Sequence, residues 1–338
     1  MKILIIGDQH FKDNLSYAEY VPDGRVGEKK DVLDFIVEAG KDCDNVVFMG
    51  DNLNSKNNTS ETNREFVNFI ERFWNKDVYI ISGNHEKKGD GKTAIDFLAE
   101  INKGNWFIFK NIASAKIGGL KIDFLPYMLK SEWGVETNEE AVKAMMKNLT
   151  GGDILFMHHA IKGFMSNGVK TDTFGEPLFS KTALEKLYHT VIAGHVHEPQ
   201  EKDRTIITGN IFTEQVGDKE KFIWKIDDKF NVEKIKLPGR PIVKLVNPTL
   251  DKFREIDDHG IVKVVLTDKK IDVDEIKSML KGRFDALLVI EDYPNTRKKA
   301  HLEGAAFDFS IEALLKLYSE ERGVEYQRLL NGLKLING

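Results

Sequence analysis

Residues 1 to 10, Met-Lys-Ile-Leu-Ile-Ile-Gly-Asp-Gln-His, decide how this chain is read. The apolar run Ile3 to Ile6 stops at Gly7, and the chain then delivers a carboxylate, Asp8, and an imidazole, His10, two positions apart. A short unbroken apolar run of this kind reads as a strand buried on both faces, Lys2 to Ile6. The arrangement recurs: short apolar runs precede Gly50-Asp51-Asn52, Gly83-Asn84-His85-Glu86, Met157-His158-His159 and Gly194-His195-Val196-His197. Six of the nine histidines fall within these five motifs. Any one of them alone reads as a turn or a satisfied pair at a strand end; five in order, each behind a strand, do not.

Working outward, Val46 to Met49, Val78 to Ile81, Ile154 to Met157 and Val191 to Ala193 read as further buried strands. Val32, Phe35, Ile36 and Ala39 have helical spacing, as do Phe66, Phe69, Ile70 and Phe73. This alternation is that of a layered α/β fold, in which loops leaving the carboxyl ends of strands converge on a site. From Ile206 to Lys236 the pattern turns strand-rich, with Lys221 to Ile226 and Val232 to Lys236 flanking a polar turn at Asp227-Asp228-Lys229. Leu237-Pro238-Gly239-Arg240 then punctuates the chain and sets a boundary, giving a first domain over 1–238. A small α+β unit over 239–305 follows, with strands at Ile242 to Val246, Ile261 to Leu266 and Ala286 to Ile290, and a helix through Ile276, Met279 and Leu280. Over 306–338, Ile311, Leu314, Leu315 and Tyr318, then Tyr326, Leu329, Leu330 and Leu333 beyond Gly323, predict a helical hairpin.

At 338 residues, with 41% apolar and 30% charged residues, the chain has the size and composition of a soluble protein of one large and one smaller domain. The apolar start is too short for a signal peptide or membrane span, so a cytoplasmic protein without a membrane partner is expected. The lone Cys43 excludes an intramolecular disulfide and a thiolate cluster. A net charge of −5 argues against coating by nucleic acid through bulk attraction. Contact with DNA then falls to local cations such as Lys87, Lys88 and Lys92.

Asp, Asn and His in this order make up the ligand kit for two adjacent divalent metals. Asp51 is the natural bridge between them. Asp8 and His10, two residues apart on extended chain, point at one metal, and the same spacing lets His195 and His197 serve one metal each. The expected sets are Asp8, His10, Asp51 and His197 for metal one, and Asp51, Asn84, His158 and His195 for metal two. Two dications bring four positive charges; Asp8, Asp51 and a bridging hydroxide remove three, leaving about +1 to attract a phosphate. Nitrogen and oxygen ligands without sulfur suit manganese, zinc, iron or cobalt. His85, beside ligand Asn84, is left to protonate the leaving oxygen or stabilise phosphoryl charge. Asn52 and His159 are expected to support the ligands, and His159 is also the alternative to His158.

As a set, Gly-Asp-x-His, Gly-Asp-x, Gly-Asn-His-Glu, a separate His and Gly-His-x-His resembles the signature of the calcineurin-like metallophosphoesterase superfamily. The resemblance covers roughly residues 1 to 235. It implies a four-layer α/β sandwich with a small α+β cap, a C-terminal helical hairpin and a dinuclear hydrolase. Within the superfamily the chain looks most like phage or bacterial SbcD-type DNA nucleases. Thr208-Gly209-Asn210 with Glu214, Gly217 and the strand Lys221 to Asp227 resembles the segment closing their catalytic domain; residues 240 to 290, from Arg240-Pro241, resemble their capping domain; and the hairpin at 311 to 336 resembles the helices that grip an SbcC-type coiled-coil ATPase. The chain departs from many relatives at Asn54, Glu86 and Gly209-Asn210, none of which is an expected ligand. The resemblance implies a manganese-dependent exonuclease and endonuclease. It also implies a homodimer through helices such as Thr62 to Trp74, joined to two ATPase subunits in a heterotetramer. The rivals are a small-molecule or nucleotide phosphodiesterase or phosphatase and a non-catalytic scaffold.

Overall fold

In a computed structural model of the protein, residues 1–267 are described apart from 22, 90, 102, 103, 167 and 257–259, together with 276, 284 and 286–291. These lie in one compact unit, Met1–Tyr293. The expected hairpin over 306–338, and Met279 and Leu280 of the expected helix, fall outside the described residues.

The principal strands in chain order are β1 (Lys2–Ile6), β2 (Asn45–Phe48), β3 (Asp77–Ile81), β4 (Trp106–Phe109), β5 (Ala113–Ile117), β6 (Leu120–Leu125), β7 (Gly152–Met157), β8 (Tyr188–Ala193), β9 (Gln200–Lys202), β10 (Thr205–Ile207), β11 (Phe222–Asp227), β12 (Val232–Lys236), β13 (Ile242–Val246), β14 (Ile261–Leu266) and β15 (Ala286–Glu291). Two six-stranded sheets form, in the orders β12-β11-β1-β2-β3-β4 and β9-β10-β8-β7-β6-β5. β1 to β4 run parallel in the first, and β6, β7, β8 and β10 in the second. The antiparallel neighbours sit at the flanks.

Alternation along β1 explains the layering. Ile3 and Ile5 face the second sheet, where they meet Ile122, Phe124, Ile154, Phe156 and Ile192. Leu4 and Ile6 face the other way, onto helices α1 (Val26–Ala39) and α2 (Ser60–Glu71). On the far side of the second sheet, α3 (Asn138–Asn148) and α4 (Lys181–Leu187) bury Ala141, Met145 and Leu184 against Leu155, Met157 and Val191. Helix, sheet, sheet, helix is the four-layer α/β sandwich, and both faces of each sheet are covered as parallel strands require.

α2 begins where Thr59 accepts the Thr62 amide at 3.1 Å, a side-chain N-cap. Its apolar stripe brings Phe66 to 5.3 Å from Phe11 and 6.0 Å from Phe48, between ring centroids. In α1 the stripe centres on Val32, Leu33 and Ile36, which leaves Phe35, expected in the core, 36% exposed around the helix.

Beyond Leu237, β13, β14 and β15 form a separate three-stranded parallel sheet. Ile242 and Ile261 pack on Val21, in the loop that follows the first motif. Arg25, fully buried, forks onto Glu28 at 2.8 and 2.6 Å and donates to the Thr213 carbonyl at 3.0 Å; the Arg240 amide donates to the same Glu28 at 3.2 Å. The segment read as a boundary is thus pinned to the start of α1.

Because Phe66 fills the space between Phe11 and Phe48 with no exposure, Phe66→Ala is expected to lower the unfolding free energy by about 3–5 kcal/mol. A fall in urea midpoint at unchanged slope would register this; an unchanged midpoint would contradict the packing.

Candidate metal centre

All five motifs leave the carboxyl ends of parallel strands: Asp8 and His10 after β1, Asp51 after β2, Asn84 and His85 after β3, His158 and His159 after β7, His195 and His197 after β8. The strands of the two sheets present these ends to a common point. Glycines allow the loops to close on one another. A Cβ on Gly194 would stand 2.7 Å from Asp8 Oδ1 and 2.9 Å from His158 Nδ1. Gly50, at φ +99°, lies against the His158 ring where any side chain would overlap it.

The strand spacing expected for Asp8 with His10, and for His195 with His197, is not how these residues reach the site. His10, Asp51 and His195 have φ of 46°, 45° and 78°, so the chain turns through the left-handed region at three of the seven expected ligands. That conformation is costly for residues other than glycine, and the surrounding bonds hold it. The His10 amide donates to the Asp51 carbonyl at 2.8 Å. The His195 amide donates to Asp8 Oδ2 at 3.0 Å, and the His85 amide to Asp51 Oδ1 at 2.9 Å.

The structure brings all seven expected ligands together. Ligand atoms of Asp8, His10 and His197 lie within 4.8 Å of one another, as do those of Asp51, His158 and His195, and those of His10, Asp51 and His85. Asp51 Oδ2 stands 3.4 Å from His158 Nε2 and 3.8 Å from His10 Nε2, between the two expected sets. Asn84 Oδ1 faces His158 Nε2 at 3.2 Å and His195 Nδ1 at 2.8 Å.

Proton placement tests whether this set fits cations. A neutral imidazole has one N–H. His158 Nδ1 lies 2.7 Å from the Met49 carbonyl and His195 Nε2 lies 2.6 Å from the Glu176 carboxylate, so each ring's proton points outward. In the neutral rings that ligation requires, the inward nitrogens direct lone pairs toward the Asn84 oxygen. His10 Nε2 and His197 Nε2 approach to 2.9 Å. Lone pairs converging on shared points, with two carboxylates beside them, fit two divalent cations.

Electrostatics divide the group into rings held neutral and groups that must give up a proton to ligate. Burial pushes His10 down to about 3 and His197 down to about 4, so both rings are neutral and ready to ligate. His158 goes the other way: burial opposes its charge, but Asp51 and Asp8 prevail and raise it to about 10. The two buried carboxylates part company. Burial and the Asp51 charge push Asp8 up to about 8; Asp51, despite burial, is held well below the usual range by His158, His10 and His85.

His85 is 39% exposed at the rim. Its Nδ1 lies 2.7 Å from the Asn54 carbonyl, which leaves Nε2 facing Asp51 Oδ2 at 3.9 Å. His159 is turned away from the cluster: its Nε2 accepts the Met128 amide at 3.1 Å and its ring stacks on Tyr127. Asn52 is fully buried and donates to the Ile81 carbonyl at 3.0 Å and Glu86 at 2.9 Å.

Two acids without an expected role matter here. Glu86, fully buried, gathers the amides of Asn52, Leu53 and Gly83 at 2.7 to 3.0 Å and ties the second and third motif loops together. Burial and the Asp51 charge raise its carboxyl to about 7. Its place at the end of Gly-Asn-His-Glu was the available signal. Glu176, by contrast, lies in a loop 19 residues before His195, where no pattern marks it. The expected DNA-facing cations are only partly available, because Lys87 donates to Glu132 at 2.8 Å while Lys88 and Lys92 are exposed.

Fold and clustered ligands together are those of a metallophosphoesterase. The model of the calcineurin-like phosphoesterase family matches residues 1–199, and the chain belongs to that family. No curated protein matches it. Among solved structures, it is similar to an archaeal phosphodiesterase at 15% identity over 70% of this chain and 100% of that one, with a TM-score of 0.35. It is also similar to a Staphylococcus aureus protein described as a 5′-nucleotidase, in complex with alpha-ketoglutarate, at 13% identity over 76% of this chain and 59% of that one, with a TM-score of 0.40. No helix among the described residues is long and apolar enough to cross a membrane.

Ligation requires neutral His158 and ionised Asp8, whereas in the metal-free site both are pushed above their ordinary values and favour the proton near neutral pH. Metal uptake at pH 7 is therefore expected to release protons, and apparent affinity to rise with pH. Calorimetry in two buffers of different ionisation enthalpy measures the release; identical heats would contradict the assignment.

Proposed function

We propose that the protein is a metal-dependent DNA nuclease, an exonuclease and endonuclease cutting phosphodiesters, and the nuclease subunit of an SbcCD-like repair or recombination complex. The observation that carries this reading is the parallel sheet β13 to β15, built onto the Val21 loop next to the first motif. A second sheet joined to the loop that follows the first motif suits a polymer more than a small substrate.

In this reading Asp8, His10 and His197 hold metal one, Asn84, His158 and His195 hold metal two, and Asp51 is shared. Two bound dications, manganese by the family resemblance, would supply Lewis-acid stabilisation of phosphoryl charge and an ionised nucleophile near neutral pH. Asp51 is held between the two ligand groups by the His85 amide. His85, anchored through Nδ1, presents Nε2 to the rim where a leaving oxygen departs, and in its charged form holds the proton to be donated. The chain acts as a homodimer with two SbcC-type ATPase subunits, which dock on the segment 306–338.

One observation favours the second reading, a phosphodiesterase for nucleotides or other small molecules. A cleft of about 410 Å³, lined by Met165, His197, Glu198, Gln215, Asp218 and Lys221, opens beside the centre and is large enough for such a substrate.

Incubation with manganese and end-labelled DNA, alongside bis-p-nitrophenyl phosphate, separates the readings. The nuclease reading expects DNA shortening abolished by Asp51→Ala. His85→Ala is expected to slow it about 10²- to 10⁴-fold with both ions still bound. Cleavage of the small diester without any DNA degradation, with an SbcC-type ATPase present as well as absent, would favour the small-substrate enzyme.

A further inference from the structure

The two ligand groups are not supported alike. His10 Nδ1 is buried without a hydrogen-bond partner, whereas both imidazoles of the second group have outer acceptors. For His158 the acceptor is a backbone carbonyl that the fold supplies; for His195 it is the side chain of Glu176. Glu176 uses both carboxylate oxygens: Oε1 accepts from His195 Nε2 at 2.6 Å and Oε2 from the Tyr127 hydroxyl at 3.1 Å. Tyr127 in turn stacks on the His195 ring, with centroids 5.7 Å apart.

The loop carrying Glu176 is fixed at both ends. Buried Thr171 donates from Oγ1 to the Ile161 carbonyl at 2.6 Å, and the Phe179 amide donates to the Ala160 carbonyl at 3.1 Å, two residues beyond His158. Asn138, at the start of α3, donates to the Gly175 carbonyl at 3.1 Å. A carboxylate on so well anchored a loop, bonded to the back of an imidazole, fixes that ring's tautomer and orientation and raises its basicity as a ligand.

We propose that Glu176 is the positioning residue for metal two, holding His195 so that Nδ1 faces the position shared with Asn84 and Asp51. This rests on the dinuclear reading of the centre and adds a residue that no motif contains. Without Glu176 the ring is free to turn or to take the other tautomer, and only the second site suffers, because His195 belongs to that site alone.

The test is calorimetric titration of the metal-free full-length protein with manganese chloride, backed by visible absorption of the cobalt(II)-loaded form. Wild type is expected to bind two ions. Glu176→Ala is expected to weaken one of them by roughly 10- to 100-fold, leave the other unchanged and alter the cobalt spectrum of that equivalent alone. Glu176→Gln keeps an oxygen that accepts from Nε2–H, so it should recover most of the loss. The proposal is overturned if Glu176→Ala binds both ions as wild type does, if both sites weaken together, or if Gln is as damaging as Ala. Absence of two ions from the wild type would overturn the dinuclear reading as well, which distinguishes the two failures.

Discussion

Two carboxylates, Asp8 and Asp51, are buried where the carboxyl ends of two sheets meet, and the geometry around them follows from that placement. Unpaired buried charge is strongly unfavourable, so such a pair is tolerable only with compensating donors or cations. The chain supplies amides from His195 and His85 and the His158 imidazole. It also supplies the close backbone approach that small residues at 50 and 194 permit. The remaining lone pairs converge on positions where divalent cations would complete the balance. Strands deliver these groups, and the left-handed turns at His10, Asp51 and His195 aim them; the apolar layers on either side keep the frame rigid enough for aim to matter.

Much of this was legible in the residues. Short apolar runs followed by Gly-Asp or Gly-Asn place strand and site together, and β1, β12, β13 and β14 lie where the patterning places them. His158 and His159 show where sequence reasoning reaches its limit. Two adjacent residues leaving a strand point in opposite directions, so one of them faces the cluster, and only packing of the second ring on Tyr127 shows which. The strands β5 and β6 and the helices α3 and α4 carry no motif and mixed polarity, and β4, though apolar from Trp106 to Phe109, carries no motif either, so nothing in the sequence ties them to the site. The spacing at His10 and His195 reads as extended chain because backbone φ at a non-glycine residue leaves no mark in the sequence. Glu176 was invisible for a related reason: it reaches the centre through a loop anchored by Thr171, Phe179 and Asn138, contacts with no sequence period.

A full set of ligands need not imply equal metal sites. In this chain one ligand group is backed by a backbone carbonyl and an anchored carboxylate, while His10 in the other has a buried ring nitrogen with no partner. His85 and His197 are the more exposed groups of the cluster.

The central claim is that two cations share Asp51. Anomalous diffraction from crystals grown with manganese tests it most directly. The account predicts two peaks per chain, about 3.5 to 4 Å apart, with Asp51 between them, Asp8, His10 and His197 around one, and Asn84, His158 and His195 around the other. A single peak, or ions bound away from Asp51, would contradict it.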